Sequence, residues 1–197
     1  GSNGVYSFVG DGGTYNTQSK VLTITGNIVG TSTKGEKITG EKLVYDSNTQ
    51  LLTLSGKKDV RYSSADGELV TKSFTYNNAT KELVTDGSYS FIGPKYESKG
   101  KKLYFNDTTK DIKITDGYIL DKSKGQKLQG EQLAYNTNTQ DSSAVGKAYM
   151  EDKRYSLLSD SIIYTGADKN AKINGKYTVK ALDGSMMFQG KDATYNQ

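Results

Sequence analysis

Seven aromatic residues recur along this 197-residue chain at a nearly constant interval. Tyr15, Tyr45, Tyr76, Phe105, Tyr135, Tyr164 and Tyr195 are separated by 30, 31, 29, 30, 29 and 31 residues. A period in this range marks a protein made by stacking one supersecondary unit, none of which buries its own apolar face alone. Function must then be sought on the surface or groove that the stack creates.

The repeat extends beyond the aromatic. Eleven residues after most anchors stands a glycine (Gly26, Gly56, Gly87, Gly146, Gly175), and the Phe105 unit has Asp116 there with Gly117 next. Apolar pairs fall seven and nine places after the anchors, as Leu22 and Ile24, Leu52 and Leu54, Ile112 and Ile114. Thr33–Gln50 and Ser123–Gln140, three repeats apart, are identical at ten of eighteen positions.

Within a unit the apolar residues alternate with polar ones. Leu43 and Tyr45 share a face, as do Leu52 and Leu54. Period-two alternation predicts half-buried β-strands. Polar turns separate them, at Asp46–Thr49, Asn77–Thr80, Asn106–Thr109 and Asn136–Thr139, with second turns at Asp66-Gly67 and Asp183-Gly184. Each unit therefore reads as two strands and two turns. The mid-strand glycine predicts a bulge or bend, beyond which apolar residues resume on the inner side: Val60 and Tyr62, Tyr89 and Phe91, Tyr118 and Leu120, Tyr177 and Val179. No helical period appears, so the fold class is all-β. The end strands of such a stack invite strand addition by another chain, and no capping unit is evident.

Composition narrows the chemistry. Without histidine or cysteine, His- or Cys-based nucleophile systems and the common zinc sites are excluded, and no disulfide holds the fold. Gly30–Gly35 imitates a phosphate loop, but Glu36 stands where its lysine belongs. Asp168-Lys169-Asn170 imitates a calcium loop, but Lys172 replaces the next ligand. We expect no enzyme, no metal site and no cofactor. The 26 basic and 22 acidic residues are interspersed, which argues against nucleic acid as a partner. An apolar fraction of only 34% suits an elongated domain with a thin core. No apolar run approaches the ~20 residues that cross a bilayer. Gly1-Ser2-Asn3 reads as a cloning remnant, and residues 4–197 as one domain cut from something longer.

The unit Lys-Leu-Val-Tyr-Asp, polar turn, Leu-Leu-Thr-Leu-Ser-Gly and return strand resembles the OstA-like repeat of the periplasmic lipopolysaccharide-transport (Lpt) proteins of Gram-negative bacteria, LptA- and LptC-like, from about Gly12 to Tyr195. The resemblance implies an elongated β-jellyroll, slightly open along one side, whose apolar groove shields acyl chains of lipopolysaccharide. It implies a periplasmic location, with a signal or anchor segment outside this sequence. It also implies a bridge towards the outer membrane, with other transport proteins as partners through end-to-end strand pairing and homo-oligomers as a further outcome. The interior positions it carries over are Leu43, Tyr45, Leu52, Leu54, Phe74, Tyr76, Leu83, Leu103, Phe105, Ile112, Ile114, Leu133, Tyr135, Ile162 and Tyr164. The alternative reading is a structural or carbohydrate-binding, adhesin-like repeat of the cell envelope.

Overall fold

The structure is a computed structural model that describes residues 6–196; the expected cloning remnant at residues 1–3 lies outside them. The strands are β1 (Ser7–Val9), β2 (Gly12–Asn16), β3 (Val21–Thr31), β4 (Lys37–Asp46), β5 (Leu51–Ser64), β6 (Gly67–Asn77), β7 (Glu82–Thr85) and β8 (Tyr89–Ile92). They continue with β9 (Tyr96–Gly100), β10 (Lys102–Asn106), β11 (Asp111–Asp121), β12 (Gln126–Asn136), β13 (Ser142–Glu151), β14 (Tyr155–Thr165), β15 (Asn170–Ala181) and β16 (Met187–Asn196). The all-β expectation holds. Three pairs, β1 with β2, β7 with β8 and β9 with β10, are halves of one interrupted strand, because each pair shares its neighbours in the sheet. What remains is one antiparallel meander in which every strand pairs with the next in sequence.

The hairpin turns explain the regular beat. Asn16, Asn77, Asn106 and Asn136, each directly after its anchor, accept backbone N–H bonds from two and three residues ahead through the side-chain carbonyl oxygen. Asp46 accepts one such bond from Asn48. Five places after the anchor, Lys20, Gln50, Lys81, Lys110, Gln140 and Lys169 take positive φ between 52° and 64°, which closes the turn. Neighbouring turns are stitched together along the edge: the N–H groups of Ser47, Asn78, Asp107 and Thr137 donate to the carbonyls of Lys20, Gln50, Lys81 and Lys110.

Halfway along, the strands turn a corner. Where the sequence predicts bulges, the pairing register shifts beside Gly26, Gly56, Gly146 and Gly175. Gly87 instead lies in the break between β7 and β8. The returning strands bend over a small residue placed five positions before every anchor: Gly10, Gly40, Thr71, Gly100, Gly130, Ser159 and Gly190. A Cβ on Gly40 would stand 2.8 Å from Leu54 Cδ1, and one on Gly190 would stand 2.5 Å from the Tyr177 hydroxyl oxygen. The corner therefore needs small residues so that the inner faces can approach. It divides each strand into a first arm, which carries the anchors, and a second arm beyond the bend.

One expectation fails here. β11 pairs with β12 without a register shift at Asp116-Gly117, so it lacks the one extra residue that β3, β13 and β15 carry around the corner and the three that β5 carries. Ile119 is therefore the buried residue of its second arm, and Tyr118 and Leu120 face outward instead of resuming the inner side.

Candidate functional site

The seven anchors fall in a single rung. Successive register pairs join Tyr15–Leu22–Tyr45–Leu52–Tyr76–Leu83–Phe105. The same rung continues Phe105–Ile112–Tyr135–Ser142–Tyr164–Ala171–Tyr195. Two residues deeper lies a second rung: Ile24–Leu43–Leu54–Phe74–Thr85, then Leu103–Ile114–Leu133–Ala144–Ile162–Ile173. All fifteen residues singled out from the sequence lie in these two rungs, eight along the lip and seven beneath it. They share one face because, on each strand, the lip residue and the deeper residue stand two positions apart in extended backbone.

Their environments differ. The lip residues among them are half-buried, whereas the deeper seven are buried, with Leu43 and Leu54 at 0% exposure. A third apolar rung lies on the second arm, Ile38–Tyr62–Leu69–Phe91, then Ile119–Leu128–Met150–Leu157–Val179–Phe188, of which sequence reasoning placed only Tyr62, Phe91 and Val179 on the inner side. It packs against the first two and completes the core. The buried Thr85 interrupts the apolar run, but its hydroxyl donates to the Gly87 carbonyl and accepts from the Leu103 N–H. Among the described residues no buried side-chain polar atom lacks a partner.

The arms meet along a seam. Tyr96, at the free end of the second arm, lies edge-on to Tyr135 in the lip rung, with centroids 5.9 Å apart. Lys124 in a second-arm turn donates to Gln140 Oε1 in a lip turn at 2.7 Å. Near the N-terminal end, the phenols of Tyr6 and Tyr62 each donate to Glu36 at 2.8 Å. Burial opposes ionisation of Glu36, but hydrogen bonds from Ser32, Tyr6 and Tyr62 and the nearby Lys34 outweigh it and hold the carboxyl below its ordinary range. Burial first, and then Glu36, push both phenols well up.

On the first arm the lip rung is uncovered at both ends, with Tyr15 54% exposed, but on the second arm the two ends of the stack are unequal. At the N-terminal end Tyr6 and Phe8 stack at 5.7 Å and pack on the core beside Ile28 and Ile38. At the other end the rungs run out uncovered on β16, where Phe188 is 47% and Tyr195 59% exposed. Chemically, the interior offers apolar contact and scattered hydroxyls. No group of three or more Asp or Glu residues with metal-binding geometry occurs among the described residues.

These features define the class: an all-β antiparallel repeat protein that folds one meander over a largely apolar interior. No family model matches the chain, and no curated protein matches it. Among solved structures it is similar to LptH of Pseudomonas aeruginosa, described as the LptA homologous periplasmic component of the conserved lipopolysaccharide transport device. The two share 17% identity over 73% of this chain and 83% of that one, with a TM-score of 0.33. The all-β assignment stands on the chain's own strands.

Proposed function

We propose that this is a periplasmic lipid-binding transport protein. It takes up acyl chains of lipopolysaccharide, or of a related glycolipid, in the seam between its arms and forms part of a bridge towards the outer membrane. The observation that carries this reading is the set of three apolar rungs that cross the sheet, two of which emerge uncovered at β16 through Phe188 and Tyr195. Each methylene moved from water into such a seam is worth ~0.8 kcal/mol. Successive rungs of similar chemistry offer near-equal sites, so a chain can advance without escaping one deep well, and a partner supplies the energy.

Entry requires the arms to part, because the deeper rung is filled by its own side chains. The links along the lip of the seam suit that role, since one edge-on aromatic pair and one exposed Lys124–Gln140 hydrogen bond are weak. The packing of the third rung on the first two must open with them. The free edge of β16 would pair with the next transport protein or with another copy. The test is photocrosslinking to lipopolysaccharide from reactive residues placed at Leu54, Ile114 and Phe188. Labelling at Phe188 and at one deeper position is expected, and no labelling at any of the three overturns the reading.

A second reading, a structural envelope repeat, draws on the complete burial of Leu43 and Leu54. It expects interior methyl resonances to stay unmoved when lipopolysaccharide is added, whereas transport expects them to shift from β16 inward.

A further inference from the structure

We propose that the free edge of the second arm is a docking surface for an anionic lipid bilayer. Three successive turns on that edge, 93–95, 122–125 and 152–154, carry Lys95, Lys122, Lys124, Lys153 and Arg154 against one acid, Asp152. Their surplus of four positive charges equals the net charge of the whole chain. The fourth turn, 182–186, ends the row with bare apolar side chains, Leu182 at 51% and Met186 at 43% exposure.

The turns form one continuous edge. The Lys122 N–H donates to the Lys95 carbonyl at 2.9 Å, and the Leu182 N–H donates to the Arg154 carbonyl at 2.8 Å. Between them the Lys153 stem lies over Gly125, where an added Cβ would stand 3.2 Å from Lys153 Cε. Hairpin turns two strands apart recur about every 10 Å, so the four span about 30 Å.

The positive charge along this edge is not cancelled. Among the described residues Lys95, Lys153 and Arg154 enter no ion pair. Lys122 donates to the neutral Gly93 carbonyl, and Lys124 donates to the Gln140 amide and stands 3.9 Å from Asp121. The bordering acids serve their own turns: Asp121 accepts the Ser123 and Lys124 N–H groups, and Asp152 accepts those of Arg154 and Tyr155. On the outer side Glu97 and Glu151 accept the phenols of Tyr118 and Tyr149. Lys180, the register partner of the exposed Met187, adds a further cation beside the apolar end.

The occupant follows from this arrangement. Cations strung along a line do not converge on one small anion, so they fit an extended negative surface. A soluble polyanion would gain nothing from Leu182 and Met186. A bilayer takes the cations at its headgroups and the apolar side chains at the acyl boundary. The Arg154 guanidinium lies 5.3 Å from the centroid of the exposed Tyr155 ring, and tyrosine is favoured at that depth. Docking of this kind does not depend on lipid uptake in the seam.

The experiment is sedimentation of the full chain with vesicles of phosphatidylcholine alone and of an equal mixture with phosphatidylglycerol, both free of lipopolysaccharide. Binding to the mixed vesicles only is expected, and it should weaken as salt rises. Lys153→Glu with Arg154→Glu should weaken it more than about tenfold, and Leu182→Ser with Met186→Ser about fivefold. Lys42→Glu with Lys172→Glu, the same change of charge on the outer face of the first arm, should bind nearly as the parent does. Should the Lys153–Arg154 variant fail to fold, Lys95→Glu serves in its place, with a loss of about fivefold. Because the chain has no cysteine, Met186→Cys accepts a single environment-sensitive dye, whose emission should shift to the blue on mixed vesicles. The same dye at Ala79→Cys, in a first-arm turn, should not shift. No binding of mixed vesicles, equal losses from the two pairs of charge changes, folded edge variants that bind as the parent does, or an unshifted dye at position 186 would overturn the proposal. Capture of soluble polyphosphate without vesicle binding would assign the edge to another partner and overturn it too.

Discussion

The ring of Tyr96 meets that of Tyr135 edge-on, at 64° between planes, and so ties the free end of the second arm to the lip of the first. Burial, followed by the neighbouring Tyr96 hydroxyl, pushes the Tyr135 phenol well above its ordinary range. Tyr96→Ala should therefore lower stability to urea by about 1–3 kcal/mol, from the lost aromatic pair and the partial cavity. If the seam is the lipid entrance, the same variant should label more strongly with lipopolysaccharide at Leu54. Weaker or equal labelling would place the entrance elsewhere.

Glu36 makes stability depend on acid in a definite direction. Its carboxyl is held below the ordinary 4.5 in the folded chain, so its contribution is present above that value and is lost as pH falls through the folded value. Tyr6 and Tyr62 are shifted upward from 10.0, so theirs is present below 10 and lost as pH rises beyond it. Glu36→Ala should cost about 1–2 kcal/mol at neutral pH, because two phenols lose their acceptor at a half-exposed site. The gap between the urea midpoints of parent and variant should narrow as pH falls below 4.5 and through the lowered folded value. A gap that stays constant until the parent itself unfolds in acid would show that the carboxylate is not the titrating group.

The sequence foretold the rungs because one repeat equals two strands and two turns, so each anchor returns to the same height on the same face. The corner was harder to see. Its defining residue on the returning strand is small rather than invariably glycine. Thr71 and Ser159 therefore conceal a pattern that Gly10, Gly40, Gly100, Gly130 and Gly190 would otherwise announce. Tyr118 and Leu120 were assigned to the wrong face because one missing residue at a bulge reverses every later side chain. The Glu36 cluster could not be read at all, since Tyr6 and Tyr62 stand 30 and 26 residues from it and come together only in the folded sheet.

The corner predicts an order among three glycine substitutions. A Cβ on Gly117 would collide with the backbone of Lys99 and Gly100, which cannot yield without moving β9, so Gly117→Ala should cost more than about 3 kcal/mol. On Gly40 the obstacle is the buried Leu54 side chain at 2.8 Å, which can shift rotamer at a cost of about 1–3 kcal/mol. On Gly130 the nearest atom is 3.3 Å away, and about 1 kcal/mol or less is expected. Urea denaturation of the three variants checks the order. Equal losses would mean that the corner bends for reasons other than inner-face crowding.

The uncovered end makes the last prediction. Among the described residues β16 pairs on one side only, with β15, and it presents Phe188 and Tyr195 next to that open edge. Unpaired backbone donors and acceptors beside exposed apolar side chains favour strand addition by another chain. Light scattering should therefore show average mass rising with protein concentration. Phe188→Lys or Tyr195→Lys should suppress the rise, because docking would bury an unpaired ammonium. Both positions are exposed, so the variant monomers should stay within about 0.5 kcal/mol of the parent in urea. The separation of the two readouts matters: suppressed association with unchanged stability assigns the effect to the edge, whereas a parent that stays monomeric at every concentration would show that copies of this chain do not use it.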